Sequence, residues 1–530
     1  MSATTTYQQQ LQLMVDESGE IVRWLITIGV SIGALLEVID SSIVNVALPH
    51  IQGNLGATIS EAAWVITSYS IANAIILPLA AWLGDTFGRK DYFIFSLIGF
   101  VISSMVCGFA PNLVVLVLSR VMQGLFGGGL LAKAQSILFE TFPREKQGLV
   151  QAVFGLCVIV GPILGPTFGG WLTDNMNWRW IFFINLPIGI VSIAMCAMFL
   201  PPDLKTKKKT VVDWSGIFLL AMFLGSFQYV LEKGQDDDWF SSRTIIMLSI
   251  AAVVGLILFI AQELTTEHPA VDLRVLRHPS VASGVTYSLV LGFALYGVSF
   301  LIPNYAQAML GYTAFQAGIL QVPGSIMTGF MMPFVGIFAS KLDARYVVAT
   351  GTIILAMAMF QLSHITLASG WYDFFWPLIL RGIGTVLMYL PLTLATVGGA
   401  PPKDITAVTA FFNLSRMLGG SVGIAMLTTC LTRRSDFHRV VLIEKVTPFA
   451  QDTMQRLHAM AGIFTNQGQS LHDARDTALH MMNGIVGEQA MLLSYEDICW
   501  LLGMLLMCSV PLCLILSSGK RKLAEPLEMH

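Results

Sequence analysis

Long apolar runs separated by short polar segments repeat along the whole chain. A membrane-spanning helix needs about 20 mostly apolar residues, and fourteen runs approach or exceed that length. They cover residues 25–47, 62–82, 92–110, 113–139, 149–172, 180–200, 212–230, 244–261, 281–302, 316–340, 346–368, 374–397, 405–431 and 495–517. The pattern predicts an all-α integral membrane protein with fourteen spanning helices, which we number as runs 1 to 14.

The composition agrees with this prediction. Of the 530 residues, 55% are hydrophobic and only 12% are charged, whereas about 25% are charged in soluble domains. The seven cysteines lie in or beside the apolar runs without metal-ligand spacing. No nucleotide-binding loop, metal cluster or nucleophile arrangement is found, and the net charge of −3 gives no basis for nucleic-acid binding. We therefore predict neither an enzyme nor a cofactor.

The distribution of lysine and arginine predicts the orientation of the chain in the membrane. Most of these residues fall in the segments that are cytoplasmic if the N-terminus is cytoplasmic. With an even number of spans, both termini are then cytoplasmic. The polar N-terminal segment does not resemble a cleavable signal peptide. We expect the basic segments at 205–209 and 520–522 to contact anionic membrane lipids.

Run 1 contains two carboxylates where the bilayer favours apolar side chains. Glu37 and Asp40 are three residues apart and so share one helix face. A charged side chain near the bilayer centre costs about 2.5 to 3.5 kcal/mol on insertion scales, so an intramembrane acid indicates a functional site. We therefore expect these two acids to take part in the activity of the protein.

The second half of the chain repeats features of the first half. Arg120 in run 4 has a counterpart, Arg381, in run 12. The turn at 81–90 has a degenerate counterpart at 336–345. If runs 9–14 repeat runs 1–6, then runs 7 and 8 are an insertion. We predict an N-terminal six-helix bundle at 1–204, an inserted pair at 205–265 and a C-terminal bundle at 266–530 with a long outer segment at 432–494. Such a repeat is typical of transporters with a midplane site between the halves.

Four motifs together indicate a family. They are Asp40-Ser-Ser-Ile-Val-Asn45-Val-Ala-Leu-Pro49, Arg120-x-x-Gln123-Gly124, Gly161-Pro162 with Gly165, and Trp178-Arg179-Trp180 leading to Asn185-Leu-Pro187-Ile-Gly189. This set resembles the major facilitator superfamily, in its fourteen-helix drug:proton antiporter branch of EmrB and QacA type. The segments at 238–242 and 269–273 are similar to those of EmrB-type exporters.

The resemblance implies a major facilitator fold of two six-helix bundles and a function. That function is proton-coupled efflux of small hydrophobic or amphipathic drugs by alternating access, which gives antibiotic resistance. The proton gradient supplies the energy without a cofactor. The resemblance also implies a bacterial inner-membrane location, a periplasmic adaptor of EmrA type and an outer-membrane channel of TolC type.

Asp40, Glu37 and Arg120 are the predicted proton-coupling residues. Asp40 lies seven residues from the outer end of run 1, and Arg120 lies seven residues from the outer end of run 4, so their depths match. Runs 1 and 4 lie side by side in the superfamily's fold, which implies a pair between them. Burial favours the neutral acid and a neighbouring cation favours the carboxylate. The alternative role of Asp40 is a permanent salt bridge that only holds helices together.

Other candidate residues have both a functional and a structural interpretation. Asp85, Gly88 and Arg89 form a conformational latch in the family, or a solvated turn. Gly161, Pro162 and Gly165 form the antiporter motif. Lys133 reaches either Glu37 or the cytoplasmic face, and the second is favoured. Arg381 and Arg416 are expected to bind helix ends or carbonyls, and Asn185 to cap a helix. The weaker candidates for the substrate cavity are Asn45, Trp64, Tyr69, Gln123 and Lys133.

The outer segment at 432–494 is the one sizeable polar part of the chain. Its stretches at 454–463 and 471–486 have the periodicity of amphipathic helices, which could dock an adaptor. Its four histidines fit solvated helix faces better than a metal site. Two other functions remain open from the sequence: a dedicated exporter of one amphiphile, such as a fatty acid or siderophore, and a membrane sensor or scaffold without transport.

Overall fold

The chain folds into helices only, in the part that the structure describes. The computed structural model describes residues 19–202, 213–266, 269–338, 342–401 and 404–516. The α-helices are α1 Glu20–Leu55, α2 Ile59–Phe87, α3 Arg89–Phe109, α4 Leu113–Gly127, α5 Leu130–Thr141, α6 Arg144–Asn175, α7 Trp180–Phe183, α8 Asn185–Phe199, α9 Trp214–Lys233, α10 Arg243–Thr265, α11 Pro279–Leu310, α12 Ala314–Leu320, α13 Val322–Phe338, α14 Ala344–Leu362, α15 Trp371–Thr396, α16 Ile405–Lys445, α17 Gln451–Asn466 and α18 Leu471–Ser509.

The number of membrane spans agrees with the prediction from the apolar runs. Thirteen helices of the described chain are long and apolar enough to cross a membrane, and α6, which bends by 45° between Pro162 and Leu164, makes a fourteenth. Three predicted runs contain a break, at α4/α5, α7/α8 and α12/α13. Some predicted features lie outside the described residues. They are the basic segments at 205–209 and 520–522 and part of the second-half turn at 336–345.

The same helix pairs pack together in the two halves. In the first half α1 packs along α6 and α2 along α4, and in the second half the equivalent pairs are α11 with α16 and α13 with α15. Small residues allow the helices to approach closely. A Cβ added at Gly161 would lie 2.6 Å from Val38 Cγ1, and one at Gly292 would lie 1.8 Å from the Arg416 backbone oxygen. Both crossings therefore depend on glycine.

Two helices of each half form most of the contact between the halves. In the interface α2 packs against α16, and α6 packs against α13. Helix α9 of the inserted pair contacts both α2 and α16, and Gln228 donates to Ser421 Oγ at 3.0 Å. The inserted pair thus lies against one edge of the interface and touches both halves. The predicted domain boundaries remain predictions.

The described chain starts and finishes at the same end of the bundle. Glu20 pairs with Lys146 at the start of α6, and Arg345 at the start of α14 donates to the backbone oxygen of Leu516. We call this the inner end and the opposite one the outer end, following the orientation that the sequence predicts.

The predicted outer segment is built from helices that continue the membrane spans. Helix α16 runs for 41 residues and α18 for 39, so each is about 60 Å long. Helix α17 packs on α18 through Leu457, Ala461 and Ala478. At the membrane exit Asp497 of α18 binds Arg434 and His438 of α16. We name residues 432–494 the outer bundle. The two amphipathic stretches predicted within it are helical.

Gly292→Ala should destabilise the C-terminal half. The new methyl group would overlap the Arg416 backbone oxygen, and a backbone oxygen cannot move as a side-chain end can. Overpacking of this kind costs about 1 to 3 kcal/mol. We expect a lower apparent melting temperature in detergent. Gly329→Ala is the control, because its Cβ would meet only Leu156 Cδ1 at 3.5 Å. Equal melting temperatures for the two variants would contradict the packing described here.

Candidate functional site

Asp40 lies at the centre of a buried polar cluster. The Arg120 guanidinium Nη1 donates to Asp40 Oδ2 at 2.5 Å. Gln123 Nε2 and Asn185 Nδ2 donate to Asp40 Oδ1 at 2.9 and 2.8 Å. Asp40 and Arg120 are both fully buried. The predicted pair of Asp40 with Arg120 is therefore confirmed, and the depth match between runs 1 and 4 is the signal that found it.

Arg120 is held on its other sides as well. Its Nε donates to the Val65 backbone oxygen at 3.0 Å, and its guanidinium lies 4.0 Å from the centre of the Tyr69 ring. The expectation that Asn185 only caps a helix is wrong, because its side chain bonds Asp40 and Ser104 instead. Three side chains from two other helices therefore donate to the Asp40 carboxylate.

Glu37 lies one turn nearer the inner end and has different partners. Asn73 Nδ2 donates to Glu37 Oε1 at 2.9 Å, and the Leu131 backbone N–H donates to Oε2 at 2.8 Å. Leu131 is in the first turn of α5, where backbone N–H groups lack helical partners and the helix dipole favours an anion. The carboxylate of Glu37 therefore caps a helix that begins inside the membrane.

A run of three glycines creates this internal helix start. Helix α4 ends at Gly127 and α5 begins at Leu130. A Cβ added at Gly128 would lie 2.6 Å from the Asn73 backbone oxygen, and one at Gly129 would lie 2.3 Å from Tyr92 Oη. Only glycine lets the break pack this tightly, and the break frees the N–H group that Glu37 binds.

Polar contacts close the inner end between the halves. Ser136 and Thr406 hydroxyls lie 2.8 Å apart, and Asn413 Nδ2 donates to Gln135 Oε1 at 2.7 Å. Thr406 also donates to Glu140 Oε1 at 3.4 Å. We name Gln135, Ser136 and Glu140 of α5, with Thr406 and Asn413 of α16, the inner gate. Its α5 members are all buried, so this end is closed.

The predicted latch residues lie beside the inner gate. Arg89 pairs with Glu140, and Gly88 supplies the positive φ of 95° that joins α2 to α3. Asp85 is exposed. Lys133 is fully buried, and its Nζ occupies the space where a Gly84 Cβ would stand. Its side chain thus points to the inner end but stays buried, so it does not reach the cytoplasmic face as favoured from the sequence. It lies within electrostatic range of Glu140.

The outer end of α1 has one face open to solvent. Ser41 and Asn45 are exposed although they lie in a membrane span. This face lies between the residues that contact α6 and those that bond α2 and α4. Helices α2 and α6, which border this face, are also helices that meet the C-terminal half. Glu37, with 6% exposure, lies one turn inward from the exposed face.

The remaining predicted residues have other surroundings. Trp64 stacks on Tyr229 of α9, with ring centres 5.6 Å apart. Tyr69 and Gln123 are buried beside Arg120. A Cβ at Gly161 or Gly165 would meet α1 side chains within 3 Å, and Pro162 stands at the bend of α6. The antiporter motif therefore packs α6 on α1.

Sequence reasoning missed five contributors to the site. They are Asn73, Gln135, Glu140, Thr406 and Asn413. Asn73 and Gln135 are amides inside apolar runs, which is the signal that could have found them. Glu140 is an acid one residue beyond run 4, and it resembles an ordinary helix-end charge. Thr406 and Asn413 matter only because α16 meets α5, which local sequence does not indicate.

The two predicted arginines of the C-terminal half have different surroundings. Arg381 Nη1 donates to the side-chain carbonyl Oε1 of Gln321 at 2.8 Å, and Nη2 donates to Ser299 Oγ at 2.7 Å. Gln321 is the C-cap residue of α12, so this partner fits the expectation of a helix end or carbonyl. The Arg416 guanidinium instead lies 5.7 Å from the centre of the Tyr389 ring.

Comparisons with known proteins agree on one family. The Major Facilitator Superfamily model matches residues 30–424. The chain is 37% identical to the Multidrug export protein EmrB of Escherichia coli K12, covering 87% of this chain and 90% of the relative. It is 35% identical to the Fatty acid resistance protein FarB of Neisseria gonorrhoeae, covering 91% and 93%. It is 28% identical to the Colistin resistance protein EmrB of Acinetobacter baumannii, covering 94% and 97%.

Solved structures share the fold. A crystal structure of a double tryptophan mutant of XylE aligns with a TM-score of 0.59 at 13% identity, covering 94% of this chain and 97% of the other. The human organic anion transporter MFSD10 aligns with a TM-score of 0.54 at 14% identity, covering 91% and 99%. At these identities the likeness concerns the fold alone.

Asp40→Asn should destabilise the protein strongly, because it leaves the Arg120 charge buried without its partner. Removing one member of a buried pair costs about 3 to 5 kcal/mol. In a double-mutant cycle, Asp40→Asn with Arg120→Gln should lose clearly less than the sum of the two single variants. Thermal unfolding in detergent checks this. Additive losses would contradict a direct ion pair.

Proposed function

Because the chain belongs to the major facilitator superfamily, we propose that it exports hydrophobic and amphipathic drugs in exchange for protons. The chain is a multi-pass inner-membrane transporter and not an enzyme. The printed names of its relatives, a multidrug export protein and a colistin resistance protein, support drug efflux as the activity. The proton gradient would be the energy source, with no cofactor.

The contact of Glu37 with the start of α5 carries this proposal. In the inner-closed state the carboxylate of Glu37 accepts hydrogen bonds from Asn73 and Leu131. Protonation of Glu37 removes the negative charge that the N-terminus of α5 favours. The added proton would also face an N–H donor, Asn73 or Leu131, and not an acceptor. The protonated acid therefore fits this state less well. A proton that arrives along the exposed face of α1 would weaken the hydrogen bond between Glu37 and α5.

Helix α5 links this proton site to the inner gate. Leu131 in its first turn binds Glu37, and Gln135, Ser136 and Glu140 on the same helix meet the C-terminal half. A change at Glu37 would therefore shift the residues that close the inner end. In this cycle protonation favours opening inward, and drug binding with proton release favours the return.

Asp40 and Arg120 have a different role in this proposal. The Asp40 carboxylate accepts three hydrogen bonds and faces a full positive charge, whereas Glu37 has only neutral donors within hydrogen-bond distance. We assign Glu37 as the principal proton carrier. The Asp40–Arg120 pair would fix α1 against α4 and set the field in which Glu37 titrates.

We also propose that the transporter works with a periplasmic adaptor of EmrA type and an outer-membrane channel of TolC type. The outer bundle projects beyond the membrane on α16 and α18 and exposes apolar side chains. Phe449 is 97% exposed and Leu471 is 78% exposed. Exposed apolar residues on a projecting helical surface are suited to a protein partner.

A dedicated exporter of one amphiphile is the second candidate function. The 35% identity to a fatty acid resistance protein favours it. The proton chemistry proposed for Glu37 is the same for either substrate range.

Glu37→Gln should uncouple transport from protons. In proteoliposomes with a trapped pH indicator and ethidium as substrate, we expect substrate-dependent proton flux to fall at least tenfold. Ethidium counterflow, which needs no net proton transfer, should remain. Glu61→Gln is the matched control, because Glu61 is an exposed acid that caps α2. Proton flux that survives in Glu37→Gln combined with Asp40→Asn would overturn the coupling assignment.

Phe449→Ser with Leu471→Ser should weaken adaptor binding without changing transport in liposomes. Removing two exposed apolar anchors costs interface area but little stability, since neither side chain is buried. Co-purification with an EmrA-type adaptor measures the effect. The control is replacement of the exposed Tyr372, which lies at the start of α15 outside the outer bundle. Unchanged adaptor recovery would remove the proposed docking site.

A further inference from the structure

Two buried arginines of the C-terminal half have no carboxylate partner. Arg381 is 9% exposed and Arg416 is 1% exposed. Among the described residues from Pro279 onward they are the only charged side chains that are buried, and the ion pairs of the described chain include neither. The N-terminal half differs, because there Arg120 faces Asp40. The C-terminal half thus carries uncompensated positive charge in its core.

Arg381 lines a small pocket at the face of the C-terminal half that meets α6. Its two hydrogen bonds go to neutral acceptors, Gln321 and Ser299, so they leave its charge in place. The pocket is also lined by Thr328 and Thr385, and by Ile159 of α6 from the other half. A guanidinium and several hydroxyl-bearing residues therefore share one space beside α6.

Arg416 is less satisfied than Arg381. Its Nε and Nη1 are buried without a hydrogen-bond partner, and so is Asn413 Oδ1 nearby. Glu37 lies across the interface within electrostatic range, but its oxygens accept from Asn73 and Leu131 instead. Buried donors of a charged group left unbonded cost free energy. A ligand with an acidic group would remove that cost.

The two arginines lie at different depths along α15, on the side that faces α6. Arg416 lies beside Tyr389 of α15, and Arg381 lies eight residues earlier on the same helix, which is about 12 Å nearer the outer end. On the facing helix α6, Gly155 lies against Tyr389 and Ile159 lines the Arg381 pocket. These two α6 positions are one turn apart on one face. The two cations therefore lie at two depths, one near the midplane and the other nearer the outer end.

We propose that Arg416 and Arg381 form an anion-binding track that takes the acidic headgroup of an exported amphiphile. A guanidinium binds a carboxylate or sulfonate through two parallel hydrogen bonds. The apolar residues beside Arg381, which include Ile159, Leu295 and Leu355, suit an alkyl or aryl tail. This inference rests on the proposed export function and narrows its substrates to a class that includes amphiphilic acids.

Binding of matched probes to the full-length protein in lipid nanodiscs tests the track. Radiolabelled dodecanoate, dodecyltrimethylammonium and dodecanol share one tail and differ in headgroup charge. Arg381→Gln and Arg416→Gln should each weaken dodecanoate binding about tenfold or more, while the other two probes change less than about twofold. Arg381→Lys and Arg416→Lys keep the charge and should retain most of the dodecanoate affinity. A loss shared equally by all three probes would show a merely structural role and overturn the proposal.

An anionic lipid headgroup has the same chemistry, so the lipid is varied too. Dodecanoate binding should be equal in phosphatidylcholine and phosphatidylglycerol discs. If phosphatidylglycerol displaces dodecanoate, the track binds lipid and the proposal for an exported acid fails. Proton-coupled ethidium export by Arg381→Gln separates the two proposals. If ethidium export persists and dodecanoate binding is unchanged in the arginine variants, the anion-binding track is wrong and the proposed export function stands.

Discussion

The hydrogen bond from the Leu131 backbone to Glu37 joins the two parts of the molecule that must communicate. Glu37 lies one turn inward from the exposed face of α1, and α5 carries the polar residues that close the inner end. The bond exists because the glycines before Leu130 break the fourth span and free an N–H group at mid-membrane. A continuous helix would have no donor for Glu37 there, and the acid would be buried at higher cost.

The distribution of buried charge differs between the halves although their helices pack alike. In the first half each deeply buried acid has donors or a cation beside it: Asp40 faces Arg120, Glu140 faces Arg89, and Glu37 caps α5. In the second half the described contacts of Arg381 and Arg416 within that half are to neutral side chains. The repeat therefore supplies one scaffold with two electrostatic environments. This is the arrangement expected if one half handles protons and the other contributes to substrate contact.

The sequence predicted the fold and the Asp40–Arg120 pair, because span length and depth follow from hydrophobicity and helix rise alone. It did not predict that Asn185 binds Asp40, since that contact depends on how α8 meets α1. The inner gate was missed for the same reason, because Thr406 and Glu140 are 266 residues apart. The position of Arg416 beside Tyr389 was not predicted either, because side chains on adjacent spans are not visible as a local pattern.

The most direct test of the account is the distance across the inner end as a function of Glu37 protonation. Spin labels at Phe87 and Leu342, both exposed near that end in opposite halves, would report it in a variant without other cysteines. The account predicts a longer distance in acidic than in alkaline buffer, and the longer distance in Glu37→Gln at either pH. A distance that does not change with pH, or a Glu37→Gln variant that stays closed in acid, would contradict it.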